Sequence, residues 1–138
     1  MNKTYRRPGA LGLLLLLATC CGRHGSAPFS FPPELAGAWK LTGVEERATG
    51  SAPEAMRRFG PRRIRRAVYE GAGKVDATVY ELASDAGGLE LEQTWKPAAD
   101  TVAFHRGRYF AVVHWEAADR SAVSNFAREL GKLLAASD

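Results

Sequence analysis

Beyond position 21 the chain contains no cysteine; its two, Cys20 and Cys21, stand side by side. The rest of the chain therefore has neither a disulfide framework nor a cysteine nucleophile. Histidine is scarce, with His24, His105 and His114 making three. His105 and His114 flank an expected hairpin near Gly107 and lie nine residues apart. Without a bulge that spacing predicts opposite faces of a sheet. Neither has an Asp or Glu at ligand spacing, so the sequence predicts no metal site and no cofactor. No G-x-S-x-G elbow occurs. Gly71-Ala72-Gly73-Lys74 has the look of a phosphate loop, but Val68 and Val75 occupy the places of the required Gly and Ser or Thr. A hairpin turn is the better reading. Glu45-Glu46 and Glu90 with Glu92 read as charges of a solvated face. No residue is nominated as catalytic; a non-enzymatic protein is the first reading, and an enzyme of unrecognised class stays open as the last alternative.

Long hydrophobic runs are also missing. The longest, Leu11 to Ala18, has eight residues and includes Gly12. A spanning helix needs about twenty. Excess charge is missing too. The formal net charge is +4, but Lys3, Arg6 and Arg7 precede the apolar run. Past residue 19 sixteen basic residues face fifteen acidic ones, a balance that argues against a nucleic-acid binder.

What is present begins with that first stretch. A basic start, a short apolar middle and a small-residue exit make an export signal over residues 1–19. Arg6-Arg7 reads as its basic region, since the remainder of a twin-arginine signal is absent. Leu17-Ala18-Thr19-Cys20 resembles the lipobox of bacterial lipoproteins, which implies cleavage before Cys20 and a lipid on its thiol. Cys21 is the alternative lipidation site. Thr19 departs from the pattern, where Gly, Ala or Ser is usual. The expected location is the bacterial cell envelope, with the membrane as partner through the anchor. The alternatives are a secreted or periplasmic soluble protein and an uncleaved anchor.

Residues 20–33, rich in Gly, Ser and Pro after the cysteines, read as a lipidated N-terminus and tether. Residues 34–138 read as one domain. Trp39, Leu41 and Val44 suggest a first strand. Ser51 and Glu54 form the pattern of a capping box opening a helix from about Ala52 to Phe59, stopped by Gly60-Pro61. Ile64 to Tyr69 and Val75 to Leu82 read as strands joined at Gly71-Ala72-Gly73. Ser84 to Trp95 reads as a short helical turn followed by a strand, because Gly87 and Gly88 weaken a helix. Thr101 to His105 and Tyr109 to Glu116 form a second hairpin, with Tyr109–Val113 expected as the central strand. Asp119 caps a helix running to about Ala136, whose stripe is Val123, Phe126, Ala127, Leu130 and Leu134. The fold class is α+β: a mainly antiparallel sheet of hairpins with a short early helix and a C-terminal amphipathic helix packed on it.

Several landmarks fall in a familiar order: Pro32-Pro33-Glu34, Gly37 and Trp39, then Ala52, Glu54-Ala55 and Phe59-Gly60. Val68-Tyr69, Val79-Tyr80-Glu81 and Gly107-Arg108-Tyr109-Phe110 follow. From Pro32 to Leu134 the chain resembles an uncharacterised family of exported bacterial proteins, a domain of unknown function. It departs from that family in a shortened stretch around Ala83 to Thr94 and in Thr49-Gly50, where Asn-Gly is usual. The resemblance implies export and transfers no site.

One cluster stands out. Arg57, Arg58, Arg62, Arg63, Arg65 and Arg66 fall within ten residues. In an extended segment Arg63 and Arg65 share a side, about 7 Å apart, within the Debye length at moderate salt. They are candidates for an anion-binding site, with an anionic lipid or another envelope component as partner. The competing reading is a solvated sheet edge paired with Glu45, Glu46 and Glu54, as charged edges resist unwanted pairing.

Overall fold

The structure is a computed structural model and describes residues 28–138. The stretch expected to be an export signal, Cys20, Cys21 and His24 lie outside the described residues.

Six strands form one antiparallel sheet: β1 (Glu34–Leu35), β2 (Trp39–Arg47), β3 (Arg63–Gly71), β4 (Gly73–Glu81), β5 (Thr101–Arg106) and β6 (Tyr109–Glu116), in the order β1-β2-β3-β4-β6-β5. Three helices join them: α1 (Glu54–Arg57), α2 (Asp85–Thr94) and α3 (Arg120–Ala136). The class is α+β, mainly sheet, with the C-terminal helix packed on it. Among the described residues no helix is long and apolar enough to cross a membrane.

Alternation along the strands builds two cores. On one face Trp39, Tyr69, Val75, Ala77, Val113 and their neighbours meet the α3 stripe of Val123, Phe126, Leu130 and Leu134. Phe126 sits at the centre, 5.1 Å from the Tyr69 ring and 5.8 Å from the Trp39 ring, both edge-on. Ala127, expected in that stripe, is only half-buried; Gly131 is buried instead, facing Phe104 and Arg106. On the opposite face Ala52, Met56, Ile64, Tyr80, Leu82, Leu91 and Phe110 form a smaller core beneath α1 and α2.

The domain starts earlier than Glu34. Phe29 and Phe31 are buried in the α3-side core, with their rings 4.9 Å apart. The Tyr69 hydroxyl donates to the Pro32 carbonyl at 2.8 Å. Phe29 and Phe31 are thus part of the core and fix this stretch to the domain, where a tether was expected, because two phenylalanines outweigh the Pro and Ser around them.

Other local differences have equally definite causes. The capping box does not form: Ser51 Oγ donates to Ala48 O at 2.7 Å inside a 3-10 turn over Thr49–Ser51. Pro53 holds Ala52 extended (φ −59°, ψ 142°) and becomes the N-cap of a one-turn α1. Ala52 and Met56 are still buried and Phe59 half-buried. Residues 85–94 are one helix throughout, with no strand after Gly88. Ser84 caps it, accepting from Gly87 N at 3.2 Å. A Cβ on Gly88 would stand 3.1 Å from Gly107 O and 3.3 Å from His105 Cβ. The glycine that weakens the helix in isolation lets it lie against the β5–β6 hairpin. β6 is interior but not central, lying between β4 and β5. In β2 a bulge between Leu41 and Gly43 resets the alternation, so Leu41 and Val44 pair with Tyr69 and Ala67 on the α3 side.

Candidate functional site

β3 carries three of the six clustered arginines, Arg63, Arg65 and Arg66, and its period of two divides them. Arg63 and Arg65 share the α3 face with Ala67 and Tyr69, whereas Arg66 shares the opposite face with Ile64. Arg65 lies over the Phe29 ring at 5.7 Å. Arg63 pairs with Glu46 at 3.5 Å. Arg66 Nε donates to both oxygens of Asp76 at 2.8 Å, and Nη1 to Glu45 at 3.2 Å. Arg62, outside the strand, is exposed and uses its backbone N–H on Glu81 O at 2.7 Å. Arg57 Nε donates to Ala52 O at 3.1 Å, bracing α1. Arg58 lies over Phe59 and pairs with Glu90 on α2 at 3.3 Å. The structure therefore does not bring the six guanidinium groups together on one surface. Glu45 and Glu46 are partners within this set, while Glu54 makes no ion pair among the described residues.

A polar cluster lies on the sheet face opposite α3, on β2, β3, β4 and β6. Register places Glu45 opposite Arg66, Asp76 opposite His114 and Lys74 opposite Glu116. Asp76 chiefly, then Glu45, pushes the Arg66 guanidinium above its ordinary value despite partial desolvation. Arg47 and then Arg66 hold the Glu45 carboxyl below the usual range. Opposite charges are matched along these rows, which suits a solvated face. Lys74, the lysine of the phosphate-loop-like stretch, stands in such a row after a hairpin turn.

The histidines differ from the sequence expectation. The turn is Gly107-Arg108, so His105 pairs with Phe110 and His114 with Thr101. A two-residue turn makes the paired numbers sum to an odd value, and residue 105 shares a face with 110, 112 and 114. Both histidines thus point to the same side, about 14 Å apart along the strands. His105 Nδ1 bonds Glu92 of α2, and Glu92 also accepts from His105 N at 3.2 Å. Burial raises the Glu92 carboxyl, but the His105 bonds outweigh it and leave the group below its ordinary value. His114 Nδ1 is 3.4 Å from Thr101 Oγ1. No group of three His, Cys, Asp or Glu able to hold a metal occurs among the described residues.

β5 is an edge strand, and its outward groups at His105 are occupied. Glu92 takes the N–H, and Arg106 Nη1 donates to the carbonyl at 2.6 Å. This blocks strand addition at that end.

A feature the sequence reading passed over is a groove of about 430 Å³ between α1 and the end of α2. Pro53, Ala55, Leu91, Thr94 and Trp95 line it, with Arg58 and Lys96 as its charged members. Trp95 rests on Phe110 with ring centres 5.3 Å apart. Its signal was the Leu91–Trp95 spacing of one helical turn, obscured by reading this stretch as a strand. No family model, curated protein or solved structure matches the chain.

Proposed function

We propose that this chain is an exported bacterial cell-envelope lipoprotein, acylated at Cys20, with a non-enzymatic α+β domain carried at the membrane surface. The observation that carries the reading is Leu17-Ala18-Thr19-Cys20 behind a basic start and a short apolar run. The resemblance to a family of exported bacterial proteins agrees with it. The position of the first core residue adds a distance. Phe29 is buried, so eight residues, 21–28, separate the lipidated cysteine from the folded domain. Even fully extended, eight residues reach at most about 29 Å. The domain is therefore held within a few nanometres of the headgroups. The mutual neutralisation of Arg66, Asp76 and Glu45 on the sheet face opposite α3 supports a solvated face there over an anion-binding site.

The test is fractionation of bacteria expressing the chain and its variants. The native chain should sediment with membranes and stay there at high salt. Cys20→Ala should be left unacylated and either accumulate as precursor or leave the membrane fraction, whereas Cys21→Ala should behave as the native chain. Unchanged acylation of Cys20→Ala would reject Cys20, and loss only in Cys21→Ala would move the anchor by one residue.

A further inference from the structure

We propose that the groove between α1 and α2 binds a small organic carboxylate with an apolar body. This rests on the folded domain alone and is independent of lipidation. The groove's volume of about 430 Å³ falls within the range of small-molecule sites. Its walls are apolar: Pro53 and Ala55 on one side, Leu91 and the Trp95 ring on the other. Both charged side chains that line it, Arg58 and Lys96, are cations, and no carboxylate lines it. Arg58 pairs with Glu90, which does not line the groove, at 3.3 Å, but both side chains are more than half exposed. Such a pair is weak and exchangeable. Trp95 Nε1, beside the groove, is shut off from solvent and lacks an acceptor among the described residues. A buried donor without a partner is uncommon. An apolar cleft with cations at its exposed margin and a spare donor matches an anionic head on an aromatic or short acyl body. A guanidinium and an ammonium together suit a carboxylate.

The test uses the full chain, 15N-labelled and purified in a non-ionic detergent, titrated with 4-phenylbutyrate and with its uncharged amide. The Trp95 indole N–H signal is followed against those of Trp39 and Trp115. The carboxylate should shift Trp95 saturably, in the millimolar range or tighter, and leave Trp39 unmoved. The amide should need about fivefold more, as expected for one exposed ion pair. Lys96→Gln should narrow the gap between the two probes, leaving what Arg58 contributes. Ala55→Phe, at an exposed position inside the groove, should abolish the response while the Trp39 signal keeps its native place. No saturable Trp95 shift, equal response to acid and amide in the native chain, or a shift that survives Ala55→Phe would each overturn the proposal.

Discussion

Tyr69 shows how much a single side chain carries here. Its ring is fully buried between Phe31 and Phe126, and its hydroxyl reaches back to Pro32 O. Burial pushes the phenol well above its ordinary value of 10.0. The folded state then keeps a proton that the unfolded chain loses. The resulting stability is fully present below about pH 10 and is lost as pH rises towards the folded value. Tyr69→Phe should cost about 1 kcal/mol at neutral pH through the lost hydrogen bond. It should also flatten the alkaline fall, as read by denaturant melts between about pH 8 and 11. A variant with native stability and an unchanged alkaline limb would contradict this environment. At this scale Asp119 was legible in the sequence: it accepts from Ser121 N at 3.0 Å and Ala122 N at 3.3 Å. Ser51 was not, since its capping pattern was complete but Pro53 two residues on moved the helix start. The His105–Glu92 contact was not legible either, because it joins residues thirteen apart through a helix that was read as a strand.

Among the elements, α2 is where local propensity and tertiary packing disagree. Gly87 and Gly88 argue against a helix in isolation, yet the close approach to the β5–β6 hairpin requires the second of them. Gly→Ala inside a helix ordinarily gains about 1 kcal/mol. Gly88→Ala should instead lose stability, because the 3.1 Å neighbour is the Gly107 carbonyl in a tight turn. Gly87→Ala, whose nearest neighbours are the Phe59 ring and Ser84 Oγ at 3.4 Å, should be neutral or gain a few tenths of a kcal/mol. Thermal melts of the pair check this, and equal gains in both would show that the helix stands off the hairpin. The hairpins and α3 were readable because their periods of two and three to four are carried by strong apolar residues. The bulge in β2 and the strand order β4-β6-β5 were not, since nothing local in the sequence encodes which strand β6 joins.

For the whole molecule, the boundary of the domain and the place of its charges decide the account. If Phe29 belongs to the core, Phe29→Ala should cost roughly 3–5 kcal/mol in denaturant melts. A loss within about 0.5 kcal/mol would return residues 28–33 to the tether. Composition pointed towards a tether there, because Pro and Ser mask two aromatic anchors whose partners, Tyr69 and Tyr109, are distant in sequence. The arginine cluster shows the opposite effect: six neighbours in sequence are sent to different surfaces by one strand's alternation and one short helix. That dispersal leaves the lipid anchor proposed at Cys20 as the membrane link on which the account rests. The most direct measurement is the intact mass of the mature chain extracted from bacterial membranes. The account predicts a chain starting at Cys20 and carrying a thioether-linked diacylglycerol. A chain starting downstream of Cys21 without lipid, or one retaining Met1, would contradict it.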